Sequence, residues 1–389
     1  MSLSTPATPA ELADRAVAGL RDELRATATT VGWAPGRVNL IGEHTDYNGG
    51  LVLPVALPHA TAAAAARRDD GTVRLRSAQA DAEWTGQLAD IGPGRMTGWA
   101  SYAGGVLWAL REAGFDVPGL DLYVDGTVPL GAGLSSSASI ECAVAFAVLG
   151  LLDVEPTSEV RRAVVDACIR AETEVADAPT GGMDQTVSVF AEAGSALLID
   201  FSAHTHRSVR LALGDRRVLV TDTRVSHELT DGGYGARRDD CEEAARDLGV
   251  ASLRDASLDD VTRLTDERVA RRARHIVTET ARVPAVVEAL ATADWQRVGE
   301  LFAASHASMR DDFEISTPEL DLAVATAVAH GADGARMTGG GFGGSIVAIV
   351  PAERLDEVVA AVDQAFADAG LEAPHHLLAE PTDGASIVR

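Results

Sequence analysis

The sequence predicts an α+β protein built from two packed halves. Strand-like and helix-like patterns interleave both before and after residue 200, which favours layered sheets and helices over an all-helical or all-strand fold. No internal repeat or low-complexity linker is visible, and the composition shifts to charged residues around 204–210. We therefore predict two domains, one over residues 1–200 and one over residues 201–389.

The first half begins with a helix signal. Thr8-Pro9-Ala10-Glu11 combines a capping box with a proline at the first helical position. Strands are then predicted at 33–41 (interrupted by Pro35-Gly36), 51–57, 61–67, 72–77, 122–128 and 195–201. Further helices are predicted at 99–110, 136–152 and 158–175, with a short one from residue 183.

The second half is mostly helical between its strands. A strand is predicted at 217–222, followed by helices from Tyr234 to about His330. A glycine-rich loop, 337–344, then leads into a strand at 345–350 and a helix at 355–369.

Composition narrows the class of protein. The formal charge of −25 argues against nucleic acid or an anionic membrane as a partner. Cys142, Cys168 and Cys241 are scattered, the N-terminus lacks a signal pattern, and the longest apolar runs are too short or too alanine-rich to span a membrane. We therefore expect a cytoplasmic protein, and a monomer because no exposed apolar stripe stands out.

The chain contains no lysine; every Lys-or-Arg position is Arg. This excludes a Walker loop, a protein-kinase fold and a Schiff-base mechanism, each of which needs a lysine. The sequence does not separate a natural compositional bias from deliberate lysine depletion.

The stretch Gly131-Ala132-Gly133-Leu134-Ser135-Ser136-Ser137 lies between a predicted strand and a predicted helix. Glycines allow close backbone approach, and a helix N-terminus with serine hydroxyls attracts phosphate. The stretch is therefore a candidate phosphate loop, with a simple turn and a serine helix cap as the alternative.

Other polar residues form candidate sites. Glu43, His44 and Asp46 share one loop, which suits a ligand with several hydroxyls; a metal site and a solvated turn are the alternatives. Asp184 opens a helix after two glycines and is a candidate general base or an ordinary N-cap, and Arg37 could hold its carboxylate or a transferring phosphate. We interpret the pairs His204/His206 and His375/His376 as surface histidines.

Together these stretches resemble the GHMP small-molecule kinases and, within that family, the members that phosphorylate galactose. Residues 36–50 resemble the signature of those members almost without change, residues 129–139 the ATP loop, residues 338–344 the C-terminal glycine motif, and 305–313 another shared stretch. The resemblance covers about residues 33–350 and implies an N-terminal mixed α/β domain, a C-terminal ferredoxin-like α+β domain and an active site in the cleft between them.

The resemblance also implies roles for individual residues. It implies Asp184 as the base, with Arg37 beside it, and Mg²⁺ held by Ser137 and Glu172, although a solvated helix glutamate is the simpler interpretation of Glu172 alone. The implied sugar contacts are Glu43, His44, Thr45, Asp46, Gly181, Asp184 and Tyr234. The implied nucleotide contacts are Ser77, Trp99, Tyr102, Gly131, Ala132, Gly133, Leu134, Ser135, Ser136 and Ser137.

The implied reaction is ATP-dependent phosphorylation of α-D-galactose at its anomeric hydroxyl, the entry step of galactose metabolism. One departure stands beside the base: Thr180-Gly181-Gly182 replaces the Cys-Gly-Ile or Cys-Gly-Val common in those members, and the additional glycine predicts a looser backbone. The rival hypotheses are a kinase for N-acetylgalactosamine or arabinose, and a non-catalytic sugar sensor. The intact run Ser135–Ser139 argues against the sensor.

Overall fold

A computed structural model describes residues 3–226 and 233–388, without the side chain of Ser226. The helices are α1 (Pro9–Leu24), α2 (Trp99–Glu112), α3 (Ser136–Leu151), α4 (Ser158–Arg170), α5 (Met183–Phe190), α6 (Gly233–Leu248), α7 (Leu258–Val261), α8 (Glu267–Ala291), α9 (Trp295–Asp311), α10 (Pro318–Ala329) and α11 (Leu355–Asp368). The strands are β1 (Thr30–Asn39), β2 (Leu51–Val52), β3 (Pro54–Arg68), β4 (Thr72–Ser77), β5 (Ala80–Gln87), β6 (Gly119–Gly126), β7 (Ser195–Asp200), β8 (Thr205–Arg210), β9 (Arg216–Ser226), β10 (Gly334–Thr338), β11 (Gly343–Pro351), β12 (His375–Leu378) and β13 (Ser386–Ile387).

The first half is organised around a six-stranded sheet with the order β13-β1-β3-β6-β4-β5. Strand β3 lies at the centre of this sheet and carries a run of alanines. Because these side chains are small, helices pack closely against both faces of the sheet. Ala62 and Ala64 join the cluster under α1, whereas Ala63 and Ala65 join the larger cluster formed with α2 and α3. This alternation is the two-residue period expected of a strand covered on both faces.

The second half contains a four-stranded antiparallel sheet with the order β10-β11-β9-β12. One face packs on the apolar sides of α6, α8, α10 and α11. The other face contributes Val220 and Val347 to a cluster that also includes Val38 and Val55 of the first half. The two halves therefore share a buried core, and residues at their junction are held from both sides.

The predicted α+β class is confirmed, while several boundaries differ. Residues 51–57 and 61–67, predicted as two strands, fall largely within the single strand β3. Pro58 does not end this strand, because it lies opposite the irregular pairing of β1 between Pro35 and Arg37. Proline is tolerated at such an irregularity. The predicted helix 158–175 ends at Arg170 and continues as a π-helix, Ala171–Val175.

The sequence analysis missed five edge strands, namely β5, β8, β10, β12 and β13. β5 and β8 are rich in polar and charged residues, and many of their side chains are exposed. Residues 204–210, interpreted as a domain boundary, pair with β7 in a hairpin instead. Residue 200 therefore lies within this hairpin, and β13 returns to the first sheet, so the division at residue 200 stays a proposal.

One histidine prediction was wrong. His376 is buried on β12, with Nδ1 2.8 Å from Thr221 Oγ1 and Nε2 3.1 Å from a carboxylate oxygen of Asp363. His375, its neighbour on the strand, is exposed as predicted, and so are His204 and His206. Adjacent residues of a strand face opposite sides, which the two-histidine pattern alone did not indicate.

Two further features concern the whole described chain. Cys142, Cys168 and Cys241 are all free and buried. No helix within residues 3–226 and 233–388 has the length and apolar character needed to cross a bilayer.

Candidate active site

A cavity of about 570 Å³ opens at the junction of the two halves. Its lining combines residues that are far apart in sequence: Arg37, Glu43, His44, Asp46, Glu172, Ala178, Pro179, Thr180, Met183, Asp184, Tyr234, Gly235, Gly339 and Gly340. Most of the candidate sugar contacts named from the sequence therefore line one cavity.

Asp184 lies in the first turn of α5, where Gly182 adopts φ = +91° as the residue before the helix. The guanidinium of Arg37 donates to both carboxylate oxygens, from Nε at 2.9 Å and from Nη2 at 3.0 Å. Ser135 Oγ also donates to the carboxylate. The extra glycine beside the base thus supplies the left-handed residue that starts α5, and Asp184 is held by three donors.

Arg37 also joins the cavity to the candidate phosphate loop. Its Nη1 donates to the carbonyl oxygen of Gly133 at 2.5 Å, and its backbone N–H donates to that of Leu134 at 3.1 Å. One side chain on β1 therefore fixes the distance between Asp184 and the loop, which is the arrangement a group-transfer site requires.

The loop 42–50, named the sugar loop because the resemblance implies sugar contacts there, contains three left-handed residues: Gly42 with φ = +103°, His44 with φ = +62° and Gly49 with φ = +68°. A non-glycine residue in this region is strained and persists only where its surroundings hold it. Thr45 contributes to that support, because its buried Oγ1 lies 2.9 Å from the carbonyl of Gly42 and 2.6 Å from that of Leu51. Thr45 does not line the cavity; its hydroxyl braces the sugar loop internally.

His44 is packed among aromatic rings. The ring centroids of Tyr234 and Phe313 lie 5.0 Å and 4.9 Å from that of His44. Burial is the main cause that lowers the pKa of His44 to about 3, so the ring is neutral at pH 7. Since Nε2 lies 3.1 Å from the carbonyl of Gly340, it carries the proton, and Nδ1 accepts from the hydroxyl of Tyr47 at 2.8 Å.

Asp46 is the carboxyl group closest to Gly181. A Cβ atom at residue 181 would lie 2.0 Å from Oδ2 of Asp46, so only glycine allows this approach. Burial, followed by the charge of Asp184, raises the pKa of Asp46 to about 6. A ligand that donates hydrogen bonds to Asp46 would offset this penalty on its ionised form.

Glu43 is buried and paired with an arginine that the sequence analysis missed. Arg336 Nη2 contacts Glu43 Oε2, while Oε1 accepts from Thr338 Oγ1 at 3.1 Å and from the backbone N–H of Gly339 at 3.2 Å. A single charged residue inside the buried strand Gly-Ala-Arg-Met-Thr was the available signal, because a charge in such a position needs a partner.

The candidate phosphate loop, residues 131–137, is more open than the sugar loop. Gly131 and Gly133 are exposed with φ of +77° and +72°, and Ser135 is also left-handed at +59°. α3 begins at Ser136, so its unpaired N–H groups lie at the end of this loop. Strand β11, which continues from the glycine-rich loop 337–344, packs against the phosphate loop, with Ser345 Oγ donating to the carbonyl of Ala132 at 2.7 Å.

Ser77, Trp99 and Ser136 line a second, smaller cavity of about 70 Å³ beside the phosphate loop, together with the exposed Leu130. Tyr102, which is also predicted to contact the nucleotide, does not line this smaller cavity. One helical turn beyond Trp99, Tyr102 instead lies near Glu172 and Glu141; burial, with their charges, raises its pKa.

Glu172 is buried, so the interpretation as a solvated helix residue is wrong. It lies in the π-helix, and such segments are frequent at functional sites. Burial raises its pKa to about 7, while hydrogen bonds from Ser137 and Gln185 oppose that shift. Within the described ranges no group of three or more His, Cys, Asp or Glu side chains could hold a metal.

Models of known families match three parts of the chain. The galactokinase galactose-binding signature matches residues 23–67, the GHMP kinase N-terminal domain residues 101–192, and the GHMP kinase C-terminal domain residues 286–368. In fold and in the arrangement of its loops, the protein is thus a GHMP kinase.

Individual relatives narrow the assignment. The chain is 50% identical over 365 residues to a galactokinase of Streptomyces coelicolor, covering 90% of this chain and 92% of that one. It is 45% identical to a galactokinase of Mycobacterium tuberculosis H37Rv, covering 88% and 94%. The chain belongs to the galactokinase family, and the resemblance stated from its motifs is confirmed.

Solved structures agree. Lactococcus lactis galactokinase, solved with galactose, is 31% identical and superposes with a TM-score of 0.87 over 92% of this chain and 94% of that one. The mevalonate kinase of Methanococcus jannaschii, at 17% identity, shares the fold with a TM-score of 0.64 over 92% of this chain and 100% of that one.

Proposed function

We propose that this protein transfers the γ-phosphoryl group of ATP to the anomeric 1-hydroxyl of α-D-galactose, giving galactose 1-phosphate and ADP. The observation that carries the proposal is the position of Asp184. Its carboxylate lines the cavity formed by the sugar loop and is joined through Arg37 to the phosphate loop.

Glu43, His44, Asp46, Gly181 and Tyr234 are proposed to surround the sugar. Carboxylates accept hydrogen bonds from sugar hydroxyls, and a tyrosine or neutral histidine can both donate and accept. Gly181 contributes by its missing side chain, which leaves Asp46 in place. Thr45 acts indirectly, by bracing the loop that carries these groups.

Asp184 is proposed to orient the 1-hydroxyl and to accept its proton as the oxygen attacks phosphorus. Phosphoryl transfer needs little covalent help, so catalysis rests on positioning and charge stabilisation. Arg37 holds the carboxylate with two parallel hydrogen bonds. The N-terminus of α3 and the arginine charge then favour the phosphate oxygens on the opposite side.

Mg²⁺ is proposed to be held by Glu172 and Ser137. The donor set fits, because both offer hard oxygen atoms and Mg²⁺ takes few protein ligands besides phosphate and water. When bound, the ion would neutralise charge on the phosphate oxygens. Glu172 and Ser137 already lie within hydrogen-bonding reach of one another.

The nucleotide is proposed to run from the phosphate loop to the smaller cavity. Backbone N–H groups of Gly131, Ala132, Gly133 and Leu134 and the hydroxyls of Ser135, Ser136 and Ser137 would contact the triphosphate. Ser77 and Trp99 would then flank the adenosine. Tyr102, one helical turn beyond Trp99 and near Glu172, stays a proposed contact of the nucleotide.

We further propose a cytoplasmic monomer with domains at residues 1–200 and 201–389. Three free, buried cysteines support a reducing compartment. Leu130, Leu258, Val328 and Val388 are the large apolar side chains that are exposed among the described residues, and such scattered single residues are ordinary on a monomer.

The test is ADP release from Mg-ATP with a panel of sugars and other hydroxyl compounds. Galactose should support turnover, whereas glucose, mevalonate and homoserine should not, and phosphorus-31 NMR of the product should show coupling to the anomeric proton. Faster turnover with N-acetylgalactosamine or arabinose would replace the proposed substrate. Binding of galactose and ATP without ADP release would instead indicate a sugar sensor.

A further inference from the structure

Arg336 is the largest fully buried side chain among the described residues, and its hydrogen-bond partners lie in the sugar loop, in the residues just before it, and in the helices behind it. Besides Glu43, its guanidinium donates to the carbonyl of Leu40 at 2.9 Å, to Ser305 Oγ at 3.1 Å and to Glu279 Oε1 at 3.3 Å. It therefore joins β10 to the sugar loop, α8 and α9 simultaneously.

The backbone beside Glu43 is held from the same direction. Glu279 accepts from the N–H of Gly42 at 3.0 Å, and the ring Nε2 of His275 lies 3.2 Å from the carbonyl of Glu43. These contacts immobilise the chain on both sides of the left-handed Gly42. We name Arg336, Glu279 and His275 the loop clamp.

Charge within the loop clamp is balanced by two arginines. Arg336 lies between the carboxylates of Glu43 and Glu279, and Arg282 Nη1 donates to Glu279 Oε2 at 2.8 Å. Burial acts against the ionised form of Glu279, but Arg336, His275 and Arg282 outweigh it and lower its pKa to about 2. Burial raises the pKa of Glu43, and Arg336 is the main group opposing that shift.

We propose that Arg336 is a positioning residue for sugar recognition, which acts through Glu43 and fixes the sugar loop in its ligand-binding geometry before the sugar arrives. This inference rests on the proposed function. Glu43 has three of its acceptor directions occupied by Arg336, Thr338 and Gly339, so the direction left for a sugar hydroxyl is set by these partners. Arg336 determines the orientation without lining the cavity.

The geometry of arginine is essential to this role. A lysine would retain the charge but could not donate simultaneously to Glu43, Leu40, Ser305 and Glu279, because an ammonium lacks the planar fork of donors. Arg336→Lys should therefore leave the fold in place and loosen the sugar loop. If Arg336 were needed only for folding, its substitution would lower the stability of the protein but would not change the KM for galactose more than the KM for ATP.

The experiment compares kcat and both KM values for wild type, Arg336→Lys, Glu43→Gln and the double variant. The proposal predicts that Arg336→Lys raises the KM for galactose about tenfold or more and changes the KM for ATP less than about twofold. Because Arg336 acts through Glu43, the double variant should be no worse than the more affected single variant. Glu279→Gln disturbs the same loop clamp more mildly, and it should raise the KM for galactose by a smaller factor.

Arg74→Lys is the matched control, since Arg74 forms a bidentate pair with Asp121 in the first sheet, away from the cavity. It should leave both KM values unchanged. An unchanged KM for galactose in Arg336→Lys and Glu279→Gln, or strictly additive effects in the double variant, would overturn the proposal. If Arg336→Lys does not fold, Glu279→Gln decides by the same criterion. A wild-type protein without galactose-dependent turnover would instead overturn the proposed function.

Discussion

The two sides of the cavity are built differently. On the sugar side, Glu43, His44 and Asp46 are buried, and side chains from α8 and β10 hold their loop. On the phosphate side, Gly131 and Gly133 are exposed, and the loop offers mainly backbone N–H groups and serine hydroxyls. We therefore expect the sugar side to be formed in advance and the phosphate side to be completed by its ligand.

This difference follows from what each ligand requires. Sugars that differ at one hydroxyl can be distinguished only by polar groups fixed in place, because a missing or misplaced partner leaves a buried group unpaired. A triphosphate carries enough charge to order a flexible glycine loop and needs little side-chain selection. Arg37 couples the two sides by contacting Asp184 and Gly133 together.

The largest effect is expected where the two sides meet. Asp184→Asn should reduce kcat about 10³-fold, because an amide cannot accept the proton of the 1-hydroxyl. Binding of galactose, measured by calorimetry, should change far less, since the sugar loop is held by other residues. Asp166→Asn, an exposed position on α4, is the control, and near-wild-type kcat in Asp184→Asn would remove Asp184 from the role of base.

A large effect confined to the sugar side is expected at Gly181. A Cβ at this position would lie 2.0 Å from Asp46 Oδ2 and force that carboxylate out of place. Gly181→Ala should raise the KM for galactose about tenfold or more and leave the KM for ATP nearly unchanged. Gly92→Ala, where the Cβ would meet the Trp108 ring at an ordinary 3.4 Å, controls for the added methyl group. An equal increase in the KM for galactose and the KM for ATP would contradict the separation of the cavity into two sides.

The sugar side should also depend on pH. The pKa of Asp46 is raised to about 6 by burial and by Asp184, so the ionised acceptor is lost below that pH. Affinity for galactose should fall about tenfold between pH 7 and pH 5. His44 and His275, with pKa values of about 3 and about 4, stay neutral over this range. The Asp46→Asn variant should bind galactose more weakly, and its affinity should not depend on pH in this range. If the variant keeps the wild-type pH dependence, a group other than Asp46 is responsible for it.

The same pKa has an opposite consequence for the ligand-free fold. The folded protein holds the proton of Asp46 up to about pH 6, whereas an unfolded chain releases it near 3.8. The contribution of this group to the free energy of unfolding therefore decreases by roughly 3 kcal/mol in total as the pH rises from about 3 to about 7, and about two thirds of that decrease falls between pH 4 and pH 6. Saturating galactose should recover part of this loss.

The smallest effect is expected at the mouth of the nucleotide cavity. Leu130 lines that cavity while 62% exposed, so a nucleotide would cover part of its side chain. Leu130→Ala should raise the KM for ATP a few-fold, about 1 kcal/mol of apolar contact, without affecting galactose. Leu258→Ala, at an equally isolated exposed leucine, should have no effect on either substrate. A shift in the KM for galactose would contradict the separation of the two sides.

Sequence reasoning identified residues whose chemistry appears in short motifs. The sugar loop, the phosphate loop and Asp184 each sit in a run of polar and glycine residues, and the α+β class followed from interleaved patterns. What the motifs could not indicate was how Arg37 and Asp184 meet across 147 positions at 2.8 Å. That contact depends on the register of β1 and the start of α5.

The loop clamp was missed for a related reason. Arg336, Glu279 and His275 sit in an ordinary strand and an ordinary helix, and they become a cluster only when α8 and β10 pack on the sugar loop. His376 was misjudged because the side that a residue faces is decided by the strand that carries it. Tyr102 stays a proposed nucleotide contact, although it does not line the smaller cavity. Charged residues within apolar segments were the unused signal, since each needs a buried partner.

The most direct test of this account is calorimetric titration of galactose into the nucleotide-free protein. Because the sugar loop is fixed by the loop clamp rather than by ATP, galactose should bind saturably without nucleotide. A non-hydrolysable ATP analogue should change that affinity less than about tenfold, a coupling below about 1.4 kcal/mol. If galactose binds only once the analogue is present, the sugar side is not formed in advance, and the distinction between the two sides is wrong.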